Sequence, residues 1–171
     1  MPNLSLLNFL RQCDIFFNLS STQLELIANI GREMVYQEGE IIFREHSAGK
    51  ELYIILQGQV DILLSPTPND QLSEETSQED NCVSTLRRGQ SFGEIALVDE
   101  GLHSATARAA QSDTRLFAIP CEHLIMLCET YPQLGYRLMS NLAANLALKI
   151  RNTDLRIRQQ LLYEPSRMRK S

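Results

Sequence analysis

The sequence predicts an α+β fold: a sandwich or barrel of short strands between a helical lead-in and one long C-terminal helix. Three observations carry that reading. Leucines recur at three-residue spacing near the start, as one face of a helix requires. From Glu33 to Ile119 the chain changes to short runs of β-branched and aromatic residues, broken by glycine or polar turns. From Gln133 to Tyr163 it holds no proline and, of glycines, just Gly135, so one uninterrupted helix can form.

Leu4, Leu7 and Leu10 place an amphipathic turn or short helix over residues 4–12. Asp14-Ile-Phe-Phe-Asn18 interrupts it with aromatics. Ser20-Ser-Thr-Gln23 has the form of a capping box, in which the first and fourth side chains satisfy each other's backbone N–H. It opens a second helix that buries Leu24 and Ile27 and stops at Gly31. Strands are expected over Met34–Tyr36, Ile41–Phe43, Leu52–Leu56 and Val60–Leu64, with hairpin turns at Glu38-Gly39 and Gln57-Gly58. Residues 65–81 carry two prolines, five acids and no basic residue, the composition of a solvated, mobile loop. Thr85-Leu86 returns the chain to the strands, and Arg115–Ile119 is the last of them. Pro120 suits the first turn of a helix whose apolar face is Leu124, Leu127 and Cys128. Tyr131-Pro132 ends it, because a residue before proline disfavours helix.

The long helix carries two apolar stripes. Leu134, Leu148, Leu155 and Leu162 fall on one seven-residue line, with Asn141 in the missing slot. Leu142, Leu146, Ile150, Ile157 and Leu161 make the second. One stripe packs on the strands and the other is left for a partner helix, where Asn141 would fix register at a cost in stability. The alternative is that both stripes lie on the strands.

At 171 residues, 43% hydrophobic and 22% charged, the chain suits one domain with an appendage. The boundaries expected are one domain over 1–163 (lead-in 1–31, strands 32–119, helices 120–163) and a basic tail over 164–171. No apolar run approaches the ~18 residues of a membrane span, and no signal-peptide pattern opens the chain. Cys13, Cys82, Cys121 and Cys128 have no metal-ligand spacing and fit small packing roles in a reducing cytoplasm. His46, His103 and His123 form no pattern suited to nucleophilic catalysis or metal binding, so neither an enzyme nor a metal site is expected. Charge is uneven: residues 1–148 hold 9 Lys+Arg against 19 Asp+Glu, and residues 149–171 hold 7 against 2. A basic end on an acidic body gives at most weak, salt-sensitive attraction to nucleic acid.

The stretch Gly89 to Ala109 concentrates the functional signal. Gly89 reads as a turn, and Phe92-Gly93-Glu94-Ile95-Ala96-Leu97 as one helical turn with Gly93 at its mouth. Glycine there lets a ligand approach the backbone, and free N–H groups can face an anion. Gly101 closes the loop, and Ser104–Ala109 begins a strand. On its own residues this reads first as a plain glycine-punctuated turn.

Phe-Gly-Glu-Ile-Ala-Leu, a short loop, then x-Ser-Ala-Thr resembles the phosphate-binding cassette of the cyclic-nucleotide-binding domain family. The resemblance implies a β-roll or jelly roll (double-stranded β-helix), with Gly39, Gly49 and Gly58 at its turns and His46 where the family has another glycine. It implies that Glu94 bonds the ribose 2′-hydroxyl. The family's phosphate-clamping arginine is replaced by His103, ten residues after Gly93, with Ser104 and Ala105 beside it. In the catabolite-activator branch a Thr-Ser pair on the long helix caps the base; counting from Pro132, Lys149 and Ile150 stand there. Lys149 is left to contact phosphate or solvent. That branch dimerises through the same helix, implying a homodimer through residues 133–163. Its helix-turn-helix would follow Glu164-Pro165, and Ser166–Ser171 cannot form a recognition helix.

Two functions remain open. One is a cytoplasmic regulatory sensor, without a cofactor, that binds a cyclic nucleotide such as cAMP or cGMP through Phe92, Gly93, Glu94, Ile95, Ala96, His103, Ser104, Ala105 and Lys149. The other is a degenerate roll that dimerises and docks an effector protein.

Overall fold

In the computed structural model, which describes residues 4–65, 81–99 and 101–163, each expected helix and strand is present. The acidic stretch 66–80 and the basic tail 164–171 lie outside the described residues. The lead-in comprises α1 (Leu4–Leu10), a 3₁₀ turn at Asp14–Phe16 and α2 (Ser21–Ile30). The capping box forms: Gln23 N–H donates to Ser20 Oγ at 3.2 Å, and Ser20 N–H to Gln23 Oε1 at 2.9 Å. Gly31, however, is extended rather than left-handed. Glycine is required because a Cβ would lie 2.2 Å from the Phe117 ring.

Eight strands follow: β1 (Arg32–Tyr36), β2 (Ile41–Phe43), β3 (Glu51–Gln57), β4 (Gln59–Leu64), β5 (Asn81–Arg87), β6 (Ser91–Phe92), β7 (Thr106–Ala109) and β8 (Thr114–Pro120). They form two antiparallel sheets of four, ordered β1-β8-β3-β6 and β2-β7-β4-β5. This corrects the expected hairpins. β1 and β2 belong to different sheets, as do β3 and β4, so the turns at Gly39 and Gly58 are corners. A one-residue connection cannot close an antiparallel pair; Gly58 at φ +90° instead swings the chain between sheets. His46 does keep its turn, in the left-handed region at φ 62°. For a residue with a Cβ that conformation costs about 1–2 kcal/mol.

β3 explains its unbroken apolar run by being buried on both faces. Tyr53 and Ile55 point between the sheets with Val60, Phe92, Ala107 and Leu116. Leu52 and Ile54 face the helices, where they meet Ile15, Phe16, Leu24, Ile27 and Leu124. Pro120 closes β8 and caps α4 (Cys121–Thr130) rather than entering its first turn. Cys13 and Cys121 pack in the core and Cys128 is half-buried, but Cys82 is exposed, against the packing role expected of it.

The last helix, α5 (Pro132–Tyr163), buries Leu134, Leu138 and Leu142. Asn141 does not sit in a seam for a partner. Its amide donates to the carbonyls of Ile15 (3.1 Å) and Phe17 (2.8 Å), closing the 3₁₀ turn. Beyond Leu146 the helix carries its apolar residues outward: Leu148, Ile150, Leu155 and Ile157 are exposed. Both stripes therefore do not lie on the roll. A straight helix drifts ~20° per heptad, so a seven-residue line that starts in the core leaves it.

Candidate functional site

The cassette hangs from the β3–β6 pairing. Gly89, at φ +88°, donates to the Ile55 carbonyl at 2.8 Å and turns the chain into β6. β6 registers Phe92 against Tyr53 and Ser91 against Ile54. Gly93 follows at φ +79°, and a Cβ there would stand 2.7 Å from the Glu51 carbonyl oxygen. The conformation and the close approach both demand glycine. The helical turn starts later than expected: Phe92 is strand, Leu97 N–H bonds the Glu94 carbonyl, and the helix α3 spans Ile95–Asp99.

Glu94 is 5% exposed. Its partner comes from α5: the Lys149 ammonium donates to Glu94 Oε1, and also to the Ser91 carbonyl at 3.0 Å. Lys149, which the sequence left to contact phosphate or solvent, is about one third exposed and pairs with Glu94. Ser91 Oγ, buried beside this pair in sequence, has no hydrogen-bond partner among the described residues. Arg156, two turns further along α5, donates to the Val83 carbonyl on β5.

His103 is 6% exposed and lies flat on Phe43, with ring centroids 3.6 Å apart and 7° between planes. Phe43 also meets Phe92 and Tyr53 at 5.8 Å, and those two stack at 5.1 Å. Backbone bonds pin the loop: His103 N–H donates to the Ser47 carbonyl (2.9 Å) and His46 N–H to the His103 carbonyl (2.8 Å). Burial pushes the His103 imidazole below its ordinary pKa of 6.5, which favours the neutral ring. Ser104 is exposed and Ala105 half-buried; Ile95 is exposed, and the Ala96 side chain lies outside the described residues.

The fold therefore brings Gly93, Glu94 and Lys149 together, and holds His103 in an aromatic cluster instead. No hydrogen bond or ion pair joins His103 to Glu94 or Lys149 among the described residues. Sequence reasoning missed Phe43, Tyr53 and Ser91. Ser91 was findable as the residue entering the cassette; Phe43 is distant along the chain and has no local signal. Tyr53 is held by its hydroxyl on Glu51 (2.8 Å), and burial with that carboxylate raises its pKa.

A buried carboxyl with a displaceable partner can accept a ligand hydroxyl. Among the described residues no group of three His, Cys, Asp or Glu could hold a metal ion. Nor is any described helix long and apolar enough to cross a membrane.

Residues 33–131, more than half of the chain, match the model of the cyclic nucleotide-binding domain. The chain is similar to the cyclic AMP receptor protein of Thermus thermophilus, at 29% identity over 91% of this chain and 65% of that one. It is also similar to the cGMP-dependent protein kinase, isozyme 1, of Drosophila melanogaster, at 37% identity over 57% of this chain and 12% of that one. It thus spans less than two thirds of these curated relatives. Among solved structures, the catabolite activator protein of Thermus thermophilus matches with a TM-score of 0.67 at 28% identity, covering 86% of this chain and 62% of the other. A cyclic nucleotide-binding domain from Methylobacillus flagellatus shares the fold, with a TM-score of 0.73 at 19% identity over 91% of this chain and 82% of that one. With its two four-stranded sheets, helical lead-in, cassette and long last helix, the chain belongs to the cyclic nucleotide-binding domain family.

Proposed function

We propose that this chain is a non-enzymatic regulatory sensor whose cassette binds a cyclic nucleotide, cAMP or cGMP, in the cytoplasm. The observation that carries the reading is Glu94. It is a buried carboxyl, next to a glycine held at positive φ, whose partner is a flexible lysine from another element. Such a carboxyl can exchange that partner for a ribose hydroxyl without being left unpaired. His103, Ser104 and Ala105 are the groups proposed at the phosphate. Dimerisation through α5, with Leu148 and Leu155 meeting a second copy, completes the proposal; no sequence-specific DNA contact is part of it. Calorimetric titration of the full chain with cAMP and cGMP tests the reading. Saturable binding that Glu94→Ala weakens supports it.

Two observations favour a second reading, a dimerising module that no longer binds nucleotide. His103 is stacked on Phe43, where burial lowers its pKa, and Glu94 already has a cation. Undetectable binding by both the wild type and His103→Arg would select that reading.

A further inference from the structure

His103 is only 6% exposed, yet no hydrogen bond or ion pair reaches its ring among the described residues. Polar groups this covered are as a rule paired. The ring nitrogens are not sealed in, however: among the described buried and half-buried residues, Ser91 Oγ alone is a fully covered side-chain atom without a partner. The imidazole thus lays a face on Phe43 and leaves its nitrogen edge unused. The main chain around it is fixed. His103 N–H donates to the Ser47 carbonyl (2.9 Å), His46 N–H donates to the His103 carbonyl (2.8 Å), and Ala48 bridges Leu102. With the backbone pinned and no side-chain bond, the ring plane is set by its stack on Phe43, 3.6 Å between centroids and 7° between planes. Phe43 is held in turn: it ends β2 opposite Ala107 of β7 and meets both Phe92 and Tyr53 at 5.8 Å. Phe92 is the residue that leads into Gly93 of the cassette.

We propose that Phe43 is a positioning residue: it fixes the His103 ring in the plane from which the unpaired nitrogen edge donates to a phosphate oxygen of the ligand. The inference rests on the nucleotide-binding reading above and names the residue that orients its phosphate contact. A hydrogen bond weakens steeply once its angle falls below about 120°. An arginine offers five donors in a fork, whereas an imidazole offers at most one bond from each ring nitrogen, so its orientation decides whether the bond forms. An imidazole free to turn loses that freedom when it binds; one already held flat on a neighbour loses little. The Phe43 ring supplies that hold without occupying either nitrogen. A stacked aromatic pair of this kind shifts an equilibrium by about two- to tenfold.

The test uses the full chain as wild type, Phe43→Leu, Phe43→Tyr, His103→Ala and the Phe43→Leu/His103→Ala double variant, titrated with cAMP and cGMP and followed by proton NMR. In the wild type the His103 ring protons should resonate upfield of a free imidazole, because they lie over the Phe43 ring. Phe43→Leu should abolish that shift and Phe43→Tyr keep it. Phe43→Leu should weaken binding of the preferred nucleotide about two- to tenfold, and Phe43→Tyr should restore it. In the His103→Ala background Phe43→Leu should change nothing further. Where Phe43→Leu does not fold, saturating the wild type with nucleotide still decides: the His103 signals should move on binding yet stay upfield. Loss of the upfield shift on binding would mean that the ring leaves Phe43, and would overturn the positioning role. Wild-type affinity in Phe43→Leu or His103→Ala, or equal weakening by Phe43→Leu with and without His103, would overturn it too while leaving the nucleotide-binding reading intact. Binding of no nucleotide by any variant would overturn that reading, and this inference with it.

Discussion

Replacing Asn141 by leucine separates two roles for that residue by sign. If Asn141 sat at a helix–helix seam, leucine would stabilise the assembly, since a buried asparagine there lowers stability for the sake of register. In the structure its amide instead bonds the Ile15 and Phe17 carbonyls. Two such bonds contribute net about 0.5–1.5 kcal/mol each, so their loss costs roughly 1–3 kcal/mol. The leucine is half-covered at this site and recovers about 1 kcal/mol by transfer from water. Asn141→Leu should therefore lower unfolding stability by up to about 2 kcal/mol. Urea unfolding at several protein concentrations measures it, because a seam effect would grow with concentration and a turn-capping effect would not. Stabilisation that increases with protein concentration would refute the assignment.

Burial lowers the His103 pKa, so the folded chain takes up its proton later than the unfolded chain. Its contribution to stability should be full above pH 6.5, fall between 6.5 and the lowered folded-state value, and level off below it, and His103→Phe should remove that step from thermal unfolding curves. If a bound phosphate sits at His103, it favours imidazolium and raises the bound-state pKa above the free one. Nucleotide affinity should then be highest below the free-state value and decline as pH rises, and His103→Arg should flatten that profile between about pH 5.5 and 8.5. Leu148 and Leu155 are 54% and 57% exposed, so a Leu148→Glu/Leu155→Glu variant should fold normally yet scatter light as a monomer where the wild type is a dimer. A wild type that stays monomeric at high concentration would remove the dimer from the proposal.

Local chemistry was legible in the sequence and long-range geometry was not. The capping box of α2, the limits of β2 and the strand at Leu52–Leu56 follow from patterns a few residues long. The corners at Gly39 and Gly58 looked like hairpins because a turn residue announces a turn, not which strands it joins. Gly31 looked like a left-handed cap, yet it is glycine because Phe117 presses on it from another strand. Asn141 kept a heptad position, but the direction of that position depends on how the helix lies on the 3₁₀ turn. At the site, the cassette motif located Gly93 and Glu94. The pairing of Glu94 with Lys149, 55 residues away, and the stacking of His103 on Phe43 required the fold.

The central claim is that Glu94 receives the hydroxyl of a cyclic nucleotide. Isothermal titration of the purified chain with cAMP and cGMP, beside Glu94→Ala, tests it most directly. The account predicts saturable binding of one nucleotide per chain, weakened at least about tenfold when the carboxyl is removed. Equal affinity in the wild type and Glu94→Ala, or no binding of either nucleotide by the wild type and His103→Arg alike, would contradict it.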